Sequence, residues 1–364
     1  PRAPRVRLPP SDPAPRFFVV LRVLSARPKR GSRMPKAAAP LLGVLAACGV
    51  AAAAVHVASA SEPSWLQELF GREQPYRELN DLINSLLFNE AQRRGFEERF
   101  GYETGYYLCT YLRDLFFGCL LYYLTAGLWH IAIYHVMRER LFKGREDKMP
   151  SRAVIVDQIC LAQASLFCYA ALPVFSSWLV ENNYTAAYFY IDDIGGWANY
   201  LAITAFYFAL VEIGIYWMHR TLHTNKFLYK WVHGLHHKYN SHATLSPWAS
   251  IAFNPLDGIA QASPYVFVML FVPCHYLTHL IMLFFTGIWA TNIHDAIDGD
   301  TEPIMGAKYH TIHHTHFSCN YGQIFTFCDQ FWGTLKTRED IDKLMEKRRA
   351  KASAARMSKA AKAE

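Results

Sequence analysis

Long uncharged stretches constrain this chain most: residues 116–136 hold no Asp, Glu, Lys or Arg, 154–179 and 197–218 hold one each, and 257–294 holds only Asp257. About twenty apolar residues at ~1.5 Å rise cross a hydrocarbon core. In lipid a helix satisfies every backbone N–H and C=O within its own segment. The sequence therefore predicts an all-α, polytopic membrane protein: about three transmembrane helices over the first three stretches, then a helical hairpin over 257–294. That last stretch is too long for one span and is interrupted by Pro264 and Pro273. A hairpin enters and leaves on one side, which returns His294 to the face that carries His219. At 52% hydrophobic and 15% aromatic residues, composition weighs in the same direction against a single soluble core.

The net charge of +7 collects outside the apolar stretches, in 138–152 and in the tail 336–362. Basic residues beside membrane helices mark the cytosolic side, so this charge reads as topology and no nucleic-acid partner is needed to explain it. With 138–152 cytosolic, the acidic 181–196 loop, with its Asn183-Tyr184-Thr185 glycosylation sequon, falls in the lumen, and the third span descends to place His219 at the cytosolic interface. Residues 1–33 are expected to be a leader outside the fold, with Met34 an initiator and 34–61 a signal peptide or signal anchor. Residues 62–104 have no readable role, 105–338 are expected to form one membrane domain, and 339–364 a basic helical tail. The eight cysteines show no CxxC pair and read as reduced packing residues.

Most of the sixteen histidines fall after Met218. His219 and His223 form HxxxH; His233, His236 and His237 form HxxHH; His310, His313 and His314 form HxxHH again. On a helix, residues at i, i+3 and i+4 share a face, so each cluster can aim its imidazoles at one point. Neutral imidazole is a common ligand of iron, zinc and copper, and eight exceed what one ion coordinates. A two-metal site follows. His294 and Asp298, at i and i+4 after the hairpin, extend the ligand set, and Asp295 and His316 are expected behind it. Glu212, two turns before His219 on the third span, is an ionisable group inside a membrane helix and therefore a functional candidate. His275 and His279 also form HxxxH, but they sit at mid-hairpin and are assigned to turn and packing roles. Hydrolases of the HExxH type are disfavoured because no such string occurs. A transporter or a silent metal-binding scaffold is disfavoured because transporter sites lie near the bilayer midplane.

Three histidine clusters in this order, split by an apolar hairpin, resemble the fatty acid hydroxylase and sterol desaturase superfamily. Within it, residues 212–220, Leu245-Ser-Pro-Trp-Ala-Ser250, Phe253-Asn-Pro-Leu-Asp257-Gly258, 287–295 and Asn320-Tyr-Gly-Gln323 resemble the sterol C-5 desaturases, the plant-type members above all. The resemblance covers roughly residues 195–338. It implies an oxidoreductase of sterol biosynthesis with two non-haem irons, which uses O2 to introduce the C5=C6 double bond into a Δ7-sterol. Electrons would come from NADPH by way of cytochrome b5 and its reductase, in the endoplasmic reticulum membrane. The implied metal ligands are His219, His223, His233, His236, His237, His294, Asp298, His310, His313 and His314, with Glu212 and Asp295 as further site residues. Asp298 departs from the family pattern, which carries histidine there. Thr244, Trp248 and Asn254 are expected along the sterol entrance, and Asp257 is expected either behind the metal ligands with Glu212 and Asp295 or, preferably, as the cap of the hairpin helix. A sterol C-4 methyl oxidase or a lipid hydroxylase would share the clusters and differ in substrate.

Overall fold

A computed structural model describes residues 70–241, 243–295, 297 and 301–360. The expected leader, the signal segment 34–61 and Asp298 lie outside the described residues. Helices α1 (Pro75–Asn84) and α2 (Glu90–Phe100) precede α3 (Tyr102–Ile131), which continues through a π turn, Ala132–Val136. Then come α4 (Arg152–Tyr169), α5 (Ala171–Glu181), α6 (Trp197–Thr224), the hairpin α7 (Pro255–Met269) and α8 (Tyr276–Ile293), α9 (Ala307–His316) and α10 (Arg338–Ala360). Among the described residues, four segments are long and apolar enough to cross a membrane: Tyr102–Val136, Glu146–Glu181, Trp197–Thr224 and Tyr276–Ile293. The protein is thus an all-α, multi-pass bundle with three long spans and a hairpin, as the sequence predicts.

Local chemistry sets the boundaries. Ser151 caps α4 by accepting from Val154 N, and Asn89 with Gln92 makes a reciprocal capping box at α2. Pro173 cannot donate to the carbonyl of Tyr169, and its ring crowds that carbonyl, so the second span breaks at Ala170 into α4 and α5. His275 caps α8 by accepting from Thr278 N at 3.4 Å. One turn on, His279 is buried between Tyr207 Oη at 2.9 Å and Ser176 Oγ at 3.2 Å. Both therefore take turn and packing roles.

The first span begins at Tyr102 rather than at 116. Charge at Arg113 and Asp114 hides this in the sequence. The two side chains pair at 2.9 Å while nearly fully buried, and Arg113 also donates to Asn80 of α1. A paired, hydrogen-bonded charge can stay inside a bundle where an isolated one would not.

Two contacts orient the bundle. The turn between α7 and α8 is clamped to the 182–196 loop through Tyr188 N to Cys274 O and Tyr276 N to Tyr188 O, each 3.0 Å. At the other end Trp129 Nε1 donates to Asp295 Oδ2 at 3.1 Å, so the end of α3 and the basic segment after it lie beside His294. Helices α6 and α7 approach closely at Gly214, where a Cβ would come 2.8 Å from Pro264 Cβ. The carbonyl of Ala260 that Pro264 leaves without an N–H is taken by Ser263 Oγ at 2.8 Å. Polar side chains of α3 and α4 grip the segment leading into α7: Tyr122 Oη donates to Trp248 O at 2.9 Å, Gln158 Nε2 to Thr244 O at 2.6 Å, and Ser165 Oγ to Phe253 O.

Candidate metal centre

Each histidine cluster arrives on a different backbone shape. His219 and His223 occupy the last turns of α6, and His310, His313 and His314 line one face of α9. The second cluster is not on a regular α-helix: His233 ends a π turn, Tyr229–His233, and His236 and His237 open a 3-10 turn, His236–Lys238. His294 follows α8 directly. Nine imidazoles nevertheless converge. His219, His223, His233, His237 and His313 form one group, His236, His294, His310 and His314 another, and within each the ligand atoms all lie within 4.8 Å of one another. The groups abut, with the rings of His237 and His314 stacked 4.5 Å apart.

Hydrogen bonds behind the rings fix which nitrogen faces inward. A carbonyl or carboxylate only accepts, so a ring nitrogen beside one must carry the proton. His219 Nδ1 donates to Tyr321 O at 2.9 Å, His233 Nδ1 to Asp257 Oδ2 at 2.8 Å, His294 Nδ1 to Ala290 O at 2.6 Å and His313 Nδ1 to Cys319 O at 2.8 Å. His236 Nδ1 faces Ala252 O at a longer 3.4 Å. In all five the Nε2 is then the unprotonated nitrogen and carries a lone pair. His219 Nε2 and His313 Nε2 have no protein partner despite full burial, and His294 Nε2 lies 3.3 Å from His236 Nε2. Two inward lone pairs at that distance repel unless a cation lies between them.

A proton is a poor choice of cation. Burial first, and neighbouring imidazoles second, hold His236, His237, His310, His313 and His314 well below the usual histidine range, and burial pulls His294 down to about 4. Neutral imidazoles with inward Nε2 lone pairs fit two metal ions, one per group. This all-nitrogen donor set does not by itself select iron over zinc.

The remaining predicted residues take different places. Glu212 is buried on α6 and ligates nothing in either group; its Oε2 accepts from Ile324 N and Phe325 N, each at 3.2 Å, and so anchors the loop whose Tyr321 carbonyl holds His219. Asp295 accepts from Trp129 Nε1 and, at 2.7 Å, from Ile297 N, which fixes the turn after His294. His316 bonds Thr315 Oγ1 and stands outside both groups. Asp257 does not cap α7. Asn254 does, by accepting from Leu256 N, which leaves the fully buried Asp257 free to hold His233. Thr244 closes a turn with Ser241 rather than facing the cavity beside the histidines. Asp329, which no motif suggested, accepts from Tyr321 N, Gly322 N and Thr334 Oγ1 at 2.7–2.9 Å and so braces the same loop as Glu212. Its only signal in the sequence is an acid between the aromatic residues of the Phe-Cys-Asp-Gln-Phe string.

A cavity opens onto the imidazoles of His219, His236, His294 and His310. It shares Tyr169, Ile251 and Gly287 with a second, more apolar cavity that follows one face of α3 from Thr125 past Leu121 and Gly118 to Asp114. At ~1.5 Å rise per residue, that face covers about 16 Å of helix. The cavity at the histidines therefore adjoins, across Tyr169, Ile251 and Gly287, an elongated apolar cavity, a slot between the spans.

Residues 204–334 match the family described as Fatty acid hydroxylase. Over 236 residues the chain is 43% identical to the Delta(7)-sterol-C5(6)-desaturase of Nicotiana tabacum, covering 64% of this chain and 86% of that protein. The chain belongs to the Delta(7)-sterol C5(6)-desaturase family. Fungal desaturases of the family are more distant. That of Leptosphaeria maculans is 32% identical over 64% of this chain and 63% of its own length, and that of Candida glabrata 30% over 62% and 59%. No solved structure matches significantly. The matched segment contains eight of the nine converging histidines on α6, α9 and the connection before α7, together with His294 after α8.

Proposed function

We propose that this protein is a Δ7-sterol 5(6)-desaturase, an O2-dependent oxidoreductase that holds two non-haem irons in its histidine groups. The observation that carries the proposal is the pairing of nine converging imidazoles with an apolar slot, in a chain of the Delta(7)-sterol C5(6)-desaturase family. His219, His223, His233, His237 and His313 hold one ion, and His236, His294, His310 and His314 the other, with Asp298, four residues after His294 in the sequence, a tenth ligand. Iron bound there supplies the activation of O2 and the abstraction of hydrogen from unactivated C–H bonds. The protein's own contribution is positioning. Carbonyls of Ala252, Ala290, Cys319 and Tyr321 and the Asp257 carboxylate hold the rings, Glu212 and Asp329 hold the loop that supplies two of those carbonyls, and the slot keeps water from the reacting carbons.

A sterol's rings enter from the bilayer between the spans, with ring B beside the imidazoles and the side chain along α3. The histidine end faces the cytosol of the endoplasmic reticulum membrane, where the basic segment 138–152 fixes topology. Electrons arrive there from NADPH through cytochrome b5 and its reductase, and the basic tail helps to attract that acidic partner.

Expression in a yeast strain lacking its own Δ7-sterol 5(6)-desaturase, with sterols profiled by gas chromatography and mass spectrometry, tests the proposal. Δ5,7-sterols are expected with the wild type and not with His313→Ala. Expressed protein that leaves Δ7-sterols unchanged would contradict it.

A further inference from the structure

Two hydroxyls lining the cavity at the metal centre already bond to protein. Ser250 Oγ accepts from Thr291 Oγ1 at 3.3 Å, and Thr286 Oγ1 donates to Tyr265 Oη at 2.7 Å. Gln261, on α7 one turn beyond Asp257, differs. Its Nε2 donates to Asp257 Oδ1 at 2.9 Å, and because a carboxylate only accepts, the amide can face Asp257 only with its nitrogen. The carbonyl oxygen Oε1 is thereby aimed away from Asp257. It accepts from no protein donor, and it is not a sealed-off buried atom, on a side chain that lines the cavity with His219, His236 and His294. Gln261 thus presents to the cavity wall an acceptor whose orientation is fixed from behind by Asp257.

We infer that Gln261 recognises the hydroxyl of the sterol by accepting a hydrogen bond from it, and that it sets the substrate against the metal centre through the relay Gln261–Asp257–His233. The inference rests on the desaturase reading and deepens it. In a sterol the hydroxyl-bearing C3 is separated from C5 by a single carbon, so an acceptor for that hydroxyl must lie in the same cavity as the metal ligands, as Gln261 does. An acceptor fixed from behind discriminates between an alcohol and a ketone, because a ketone has no proton to give. The second oxygen of Asp257 holds His233 Nδ1, so one buried carboxylate fixes both the ring and the amide. Gln261 is in this sense a specificity and positioning residue, and it takes no part in metal ligation.

The test compares kcat/KM of microsomes containing the full chain for Δ7-cholestenol, its 3-ketone and its 3-deoxy hydrocarbon, with wild type, Gln261→Met and Gln323→Met. Gln323 lines the same cavity from the 320–325 loop and serves as the control. The wild type is expected to favour the alcohol over both analogues on the order of tenfold, the worth of one well-placed hydrogen bond. Gln261→Met is expected to bring the alcohol-to-deoxy ratio to about 1, with the loss in KM rather than in kcat, while Gln323→Met keeps the preference. Loss of metal in Gln261→Met lowers all three substrates together and leaves the ratio readable. If metal is lost entirely, Gln261→Asn, with its amide withdrawn by one methylene, is read for the same narrowing. A wild type that treats alcohol and deoxy compound alike, or a preference abolished by Gln323→Met alone, overturns the inference while leaving the desaturase reading intact. A wild type that converts none of the three overturns both.

Discussion

Asp257 carries two jobs on one carboxylate, holding the His233 ring and the Gln261 amide while fully buried. Replacement by Asn keeps an acceptor for one of them but turns the other contact into two facing donors. Groups that orient metal-bound histidines are worth about 10- to 100-fold in metal affinity or activity, so Asp257→Asn is expected to lose metal to a chelator at a concentration the wild type withstands. Unchanged retention would show that His233 is held by packing alone. Glu212 makes a separate prediction: with Glu212→Ala the Ile324 and Phe325 N–H groups lose their acceptor. Each unsatisfied buried donor costs about 1–3 kcal/mol, and a thermal midpoint equal to that of the wild type would rule out the anchoring role. The histidines were legible in the sequence because a ligand set announces itself by spacing. Asn254 and Asp329 were not, and Asp257 was legible only as a choice, since an acid near a helix start fits a cap as well as an orienting group, and only the fold shows which neighbour it meets.

The uncharged stretches located the helices because a membrane span tolerates few unpaired charges, but they did so least well where charge is paired. Arg113 with Asp114 concealed more than three turns of α3, and Asn80, in a stretch with no readable role, turns out to be their partner from α1. Periodicity also could not tell that Gln158 and Ser165 of α4 face inward to hold the approach to α7. The contact between α6 and α7 is the most sensitive joint, because α6 delivers His219 and His223 while α7 delivers Asp257 and Gln261. At Gly214 an added Cβ meets the rigid Pro264 ring at 2.8 Å. Gly214→Val is therefore expected to push the helices apart, lower stability by about 1–3 kcal/mol and reduce bound metal. Val at wild-type stability and metal content would mean that the two helices are free to slide.

Across the whole molecule, the histidine centre makes folding sensitive to acid. His236, His237, His310, His313 and His314 are held well below the usual range and His294 is pulled down to about 4, whereas in the unfolded chain each takes up a proton near pH 6.5. As pH falls below about 6.5 the unfolded chain gains protons that the folded one refuses, so stability drops with falling pH until the folded-state values are reached. Metal competes with the same protons and is expected to leave in the same range. Metal-stripped protein should unfold at lower temperature at pH 5.5 than at pH 7.5, and an equal or higher midpoint at pH 5.5 would contradict buried neutral imidazoles. Bundle, hairpin and convergence of the clusters at one end were all legible from apolar length and histidine spacing; the apolar slot beside the histidine cavity was not, because it depends on how side chains from several helices pack against one another. The most direct measurement is the metal content of the detergent-purified full chain by inductively coupled plasma mass spectrometry. Two irons per chain in wild type, falling in His233→Ala and in His310→Ala, is the result predicted. A single metal per chain, or zinc in place of iron, would contradict the two-iron centre.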